Sequence, residues 1–152
     1  MADQVKTTVE VEDAPIPRSL PVWRILLVDD FEPWRRSVCS MLRAHEQLRI
    51  VGEAIDGLEA VRKAQELKPD LVLLDIGLPN LDGIEAARRI GQVVPDAKIL
   101  FLSQTNNIDV VRVALNDGAY GYVVKAAAGR ELLPAIGTVL RGQKFVSRQL
   151  EH

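Results

Sequence analysis

The chain has 152 residues, 47% of them hydrophobic, 26% charged and only 5% aromatic, with a single cysteine. That length and balance suit one globular core and exclude a disordered, collagen-like or disulfide-framed chain. A formal net charge of −2 leaves no electrostatic footprint for nucleic acid, and no apolar run approaches the roughly 20 residues of a bilayer-spanning helix.

Residues 1–21 hold Pro15, Pro17 and Pro21 and the acids Glu10, Glu12 and Asp13. They read as a flexible tail without an apolar leader. Together with the lone Cys39, which suits a reducing compartment, this predicts a cytoplasmic protein. The first strand-like run, 25–28, ends in Asp29-Asp30. A helix is expected over 33–45, with Pro33 at a position where its missing N–H does no harm. On it Trp34, Val38 and Leu42 form an i, i+4 stripe, with Trp34 expected to stay partly exposed. Cys39 reads as a small helix residue and His45 as a helix-terminus residue, neither with a chemical task.

A second strand over 48–54 shows some alternation, and a helix over 57–67 repeats Leu58, Val61, Ala64 and Leu67 on one face. The third strand, 71–74, ends in Asp75 and leads through Gly77 and Pro79 to a helix over 82–93. The fourth strand, 98–102, ends in Ser103. A polar loop with Gln104 and Asn106-Asn107 then precedes a short helix, 108–115, which stops near Gly118. The fifth strand, 120–124, ends in Lys125. A final helix spans 127–140 and contains Pro134, which predicts a bend near Arg130–Pro134 or a late start. Leu150-Glu151-His152 resembles the start of a histidine tag, so 146–152 is expected to be the beginning of a linker plus a tag remnant.

Four of the five strands are continuously apolar or nearly so, as strands buried on both faces are. Five strand–helix pairs with right-handed crossovers specify an α/β fold, a doubly wound parallel sheet of five strands. The flavodoxin-like order 2-1-3-4-5, a (βα)5 unit, is the natural candidate.

In such a sheet ligands gather beyond the carboxyl ends of the strands. Asp29, Asp30, Asp75, Ser103 and Lys125 all fall there. Singly, each has an ordinary explanation: a capping pair, turn chemistry, a cap, a solvated terminus. Jointly they make a site. Three crowded carboxylates must hold protons or bind a cation, and an oxygen-only ligand set suits Mg2+ better than zinc. A carboxylate beside that metal, an ammonium and a hydroxyl form a site for phosphoryl transfer. Asp75, central in the sheet, is the better nucleophile, while the adjacent Asp29 and Asp30 share the metal.

Asp29-Asp30, Leu73-Leu74-Asp75-Ile76-Gly77-Leu78-Pro79, Leu81-Asp82-Gly83, Leu102-Ser103 and Gly118-Ala119-Tyr120-Gly121-Tyr122-Val123-Val124-Lys125 together resemble the receiver domain of bacterial two-component response regulators. The resemblance covers residues 22–145. It implies a cytoplasmic signalling switch, not a turnover enzyme, with Asp75 as phosphoacceptor for a sensor histidine kinase. It further implies Mg2+ bound by Asp30, Asp75 and the main-chain carbonyl of Gly77, with Asp29 acting through water. Ser103 and Lys125 would contact the phosphoryl group, and Ser103 and Tyr122 would form the switch, Tyr122 turning inward after phosphorylation. Gln104 stands where the family commonly has a smaller residue and is expected to tune access. Residues 141–147 resemble the lead into a LuxR-type helix-turn-helix, which implies transcription regulation through a DNA-binding output domain. A homodimer on phosphorylation is also implied. Two alternatives differ in class. One is a haloacid-dehalogenase-like phosphatase, which places its nucleophile after the first strand in an Asp-x-Asp arrangement not found here. The other is a pseudo-receiver that binds partners without phosphorylation.

Overall fold

The structure is a computed structural model that describes residues 21–150. The tail expected over 1–21 lies, except for Pro21, outside the described residues, as do Glu151 and His152. Among the described residues six parallel strands alternate with five α-helices: β1 (Trp23–Val28), α1 (Glu32–Arg43), β2 (Leu48–Ala54), α2 (Gly57–Leu67), β3 (Leu71–Leu74), α3 (Gly83–Val93), β4 (Lys98–Ser103), α4 (Ile108–Asn116), β5 (Gly121–Val124), α5 (Ala128–Leu140) and β6 (Phe145–Val146). Their order across the sheet is β2-β1-β3-β4-β5-β6. The expected 2-1-3-4-5 order is present, but the five-strand count is corrected to six.

The sixth strand also moves the boundary drawn at residue 145. Phe145 and Val146 pair with Gly121 and Tyr122 of β5, Ser147 is fully buried and Leu150 joins the core. The linker start expected at 146 is therefore packed chain as far as Leu150. A two-residue strand has no periodicity to read, which is why the sequence pattern does not reveal it.

The apolar runs divide by strand alternation between two cores. Leu26, Val28, Val72, Leu74, Phe101, Tyr122 and Val124 face Ala60, Ala64, Ile90 and Val111 of α2, α3 and α4. Ile25, Leu27, Leu71, Leu73, Leu100, Leu102 and Val123 face Val38, Leu42, Leu132, Ala135, Ile136 and Val139 of α1 and α5. β2, at the edge, is the one long strand that is only half-buried.

Pro134 departs from expectation. α5 begins at Ala128 and runs unbroken to Leu140 with Pro134 inside it, so the late start is overturned. Arg130 and Pro134 both lie on the exposed face, where a carbonyl that proline cannot serve is free to be hydrated. The buried stripe of Leu132, Ala135, Ile136 and Val139 holds the helix across that gap.

Candidate functional site

The site residues sit where the strands stop. β1 and β3 lie side by side at the centre of the sheet, with Val28 opposite Leu74, so the chain delivers Asp29 and Asp75 to one rim. Main-chain bonds continue the ladder one step further: the Asp29 N–H donates to the Ala54 oxygen at 3.0 Å and the Asp75 N–H to the Val28 oxygen at 3.1 Å. The loop after β3 is held close. The Gly83 N–H donates to the Ile76 oxygen at 2.8 Å, and a Cβ on Gly83 would stand 1.9 Å from the Asp75 oxygen. Only glycine lets α3 begin against the backbone of Asp75.

Ligand atoms of Asp29, Asp30 and Asp75 lie within 4.8 Å of one another. Asp29 and Asp75 are buried and Asp30 is exposed. The Lys125 ammonium stands between the two buried acids, 2.6 Å from Asp29 Oδ2 and 3.2 Å from Asp75 Oδ2. The Phe31 N–H donates to Asp29 Oδ1 at 2.9 Å, and the Ile76 N–H donates to Asp75 Oδ1 at 2.7 Å. Burial pushes the Asp29 carboxyl above its ordinary value, aided by the neighbouring Asp75 charge and opposed by Lys125 and the Phe31 N–H.

These acids open on a cleft of about 620 Å³ lined also by Phe31, Ile76, Gly77, Ser103, Gln104, Thr105 and Val110. Ser103 is buried and Gln104 exposed, which puts Gln104 at the mouth. Magnesium fits this donor set. Asp29 Oδ2 is buried, and the Lys125 ammonium at 2.6 Å leaves one of its two lone pairs free. It is an acceptor with an open lone pair beside two more carboxylates.

Tyr122 is the expected residue placed differently. It is fully buried, at 0% exposure, its ring 6.1 Å from that of Phe101 and its hydroxyl donating to the Thr105 oxygen at 2.9 Å. In this structure Phe101 packing and the Thr105 carbonyl hold it inward, the position expected of it after phosphorylation.

A family model for the response regulator receiver domain matches residues 25–137. The chain belongs to the receiver domain family. Among relatives of this receiver domain, the response regulator GacA of Pseudomonas viridiflava is 37% identical over 84% of this chain and 59% of its own length. The transcriptional regulatory protein LiaR of Bacillus subtilis is 37% identical over 79% of this chain and 57% of its own. The chain thus spans less than three fifths of the length of these curated relatives. A solved LuxR-family two-component response regulator from Aurantimonas sp. superposes with a TM-score of 0.81 at 35% identity, covering 85% of this chain and 92% of that one. The response regulator domain of Thermotoga maritima CheB gives 0.71 at 33%, covering 80% and 95%.

Among the described residues no helix is long and apolar enough to cross a membrane. Sequence reasoning missed Thr105, whose role is played by its main chain and so carries no side-chain signature. It also missed the contact of Trp34 with Lys125, where the ammonium lies 5.3 Å from the ring centroid. The i, i+4 stripe placed Trp34 on the core-facing side of α1, but nothing local pairs it with a residue 91 positions later.

Proposed function

We propose that this receiver domain is a phosphoaccepting switch in which Asp75 takes a phosphoryl group from a phosphohistidine of a sensor histidine kinase. The observation that carries this reading is the Lys125 ammonium held between the Asp29 and Asp75 carboxylates at 2.6 and 3.2 Å. An Asp75 oxygen attacks phosphorus, the phosphorus–nitrogen bond breaks, and its electron pair leaves on the imidazole, which takes up a proton from solvent. Lys125 neutralises phosphoryl oxygens as charge moves onto Asp75. The Ser103 oxygen accepts from the Thr105 N–H at 3.5 Å, so its own proton is available to a phosphoryl oxygen. Magnesium would be held by Asp30, Asp75 and the main-chain carbonyl of Gly77, with Asp29 acting through water, and when bound would supply further positive charge for those oxygens. Gln104 at the mouth restricts access, so Gln104→Ala should speed entry of a small donor.

Ser103 and Tyr122 carry the state of Asp75 outward, through the Thr105 carbonyl that Tyr122 grips. The protein is cytoplasmic in this reading and turns over nothing beyond its own acyl phosphate. Its output is regulation of transcription, through a DNA-binding domain and a phosphorylation-linked homodimer; the likeness to LiaR, a transcriptional regulatory protein, and to the LuxR-family Aurantimonas regulator supports the transcriptional part. The resemblance of residues 141–147 points the same way.

Incubation with acetyl phosphate and magnesium, followed by intact-mass measurement, tests the reading. One phosphoryl adduct is expected on this protein and none on Asp75→Asn. An unmodified wild-type protein, with acetyl phosphate and with a panel of histidine kinases, would leave a pseudo-receiver that acts by binding alone.

A further inference from the structure

We infer that Trp34 is a positioning residue for Lys125, presenting the face of its indole as the third wall of the ammonium's seat; this rests on the phosphoacceptor reading of Asp75. Lysine is a compact charge on a flexible four-carbon stem, and its placement depends on what surrounds it. Two walls are acidic: Asp29 Oδ2 at 2.6 Å and Asp75 Oδ2 at 3.2 Å. The third is Trp34, with the ammonium 5.3 Å from the ring centroid, inside the range at which a ring quadrupole attracts a cation.

The chemistry of that third wall matters. A third carboxylate would hold the lysine but add further negative charge to a seat that already has two. An indole face attracts the ammonium without adding any. The placement also explains a polar atom that packing alone does not. Trp34 Nε1 is buried with no hydrogen-bond partner among the described residues, and an orphaned N–H is unfavourable. Leucine or phenylalanine would fill this place on α1 without that liability. What tryptophan adds is the strongest π-face among the side chains. Because α1 carries it, the first helix is tied to Lys125 as well as to the core.

Two variants and a cycle test this. Trp34→Phe keeps an aromatic face and Trp34→Leu keeps only apolar bulk. With magnesium and acetyl phosphate, the rate of Asp75 phosphorylation should stay within about twofold of wild type for Trp34→Phe and fall about three- to tenfold for Trp34→Leu. In a Lys125→Met background, Trp34→Leu should change the rate no further, since the partner is gone. In the resting protein, NMR should show the Lys125 Hε resonances shifted upfield by the ring current in wild type and Trp34→Phe, and returned to ordinary positions in Trp34→Leu. Equal slowing by Trp34→Leu with and without Lys125, or Hε shifts indifferent to the ring, would overturn the inference. A wild-type protein that takes no phosphoryl group would sink the phosphoacceptor reading instead, and the resting-state shifts would still decide the Trp34–Lys125 contact.

Discussion

The Tyr122 hydroxyl donates to the main-chain oxygen of Thr105 at 2.9 Å, joining β5 to the loop that follows β4. That loop begins at Ser103 and lines the cleft above Asp75. The bond therefore links the acidic cleft at Asp75 to β5 through a single buried side chain. It also explains why the aromatic is inward in the resting protein: a buried phenol must find an acceptor, and the Thr105 carbonyl is within reach.

Tyr122 makes a prediction about alkaline stability. Burial pushes its phenol from 10.0 up to about 12. Below pH 10 both folded and unfolded chains hold the proton, and the contribution of the buried phenol is intact. Between pH 10 and about 12 the unfolded chain ionises while the folded one does not, so stability falls with rising pH, by about 2–3 kcal/mol over the whole window. Tyr122→Phe should remove that part of the alkaline loss. It should itself cost about 0.5–1.5 kcal/mol at neutral pH, from the lost hydrogen bond. Urea unfolding of both proteins at a series of alkaline pH values checks it. Parallel curves for the two proteins would contradict it.

Asp29 predicts a conflict between stability and metal binding. Its folded value is raised above 3.8. As pH rises through 3.8 the unfolded carboxyl ionises first, so the folded state loses relative stability and has not recovered it at neutral pH. Asp29→Asn should therefore stabilise the metal-free protein. Magnesium should reverse the ranking. Wild type gains about 2.7 kcal/mol at a hundred times its Kd, and the variant, with one acid fewer, should gain less at the same concentration. Thermal melts with magnesium and with a chelator measure both effects. An Asp29→Asn protein less stable than wild type in chelator would refute the argument.

Much of the fold and of the acidic cleft is legible in the sequence. The continuous apolar runs at Ile25, Leu71 and Leu100 announce strands buried on both faces, and the residue ending each run falls at one sheet rim by geometry alone. Asp29, Asp75, Ser103 and Lys125 are legible for that reason: their function follows from where a strand stops. What escaped depends on other physics. Phe145-Val146 is too short to show a period, and its pairing with β5 is a long-range event. Tyr122's inward state is set by the packing of Phe101 and by a main-chain acceptor, neither visible in a motif. Pro134 does not delay the start of α5, because the buried stripe of that helix overrides its local preference.

Pro134 itself predicts a gain. It lies on the exposed face of α5, and its ring removes the N–H that would serve the Arg130 carbonyl. Pro134→Ala restores that bond. The larger entropy of the unfolded alanine chain offsets part of the gain, by about 0.4–1 kcal/mol. Against a helix-interior penalty of about 3 kcal/mol, partly relieved here by hydration, a net stabilisation of about 1–2 kcal/mol is expected. Guanidinium unfolding decides the sign. Unchanged or lowered stability would mean that α5 already accommodates the ring at no cost.

The buried Glu131–Ser147 pair predicts the largest loss. Both residues are buried. The Ser147 hydroxyl donates to Glu131 Oε1 and accepts from the Val124 N–H at 2.9 Å, while the Arg148 N–H donates to Glu131 Oε2 at 3.2 Å. One hydroxyl thus serves α5 and β5 together, one residue before Lys125. Ser147→Ala leaves a buried carboxylate oxygen without its donor and a buried N–H without its acceptor, at about 1–3 kcal/mol each, or about 2–6 kcal/mol in all. Adding Glu131→Leu should recover part of that, since the apolar replacement wants no partner and the Arg148 N–H lies near solvent. Hydrogen exchange at Val124 and Ser147 should rise with Ser147→Ala, because the hold on β6 is released. If Ser147→Ala cost under 1 kcal/mol and left exchange at Val124 unchanged, the clasp would be incidental to how the strand beside Lys125 is held.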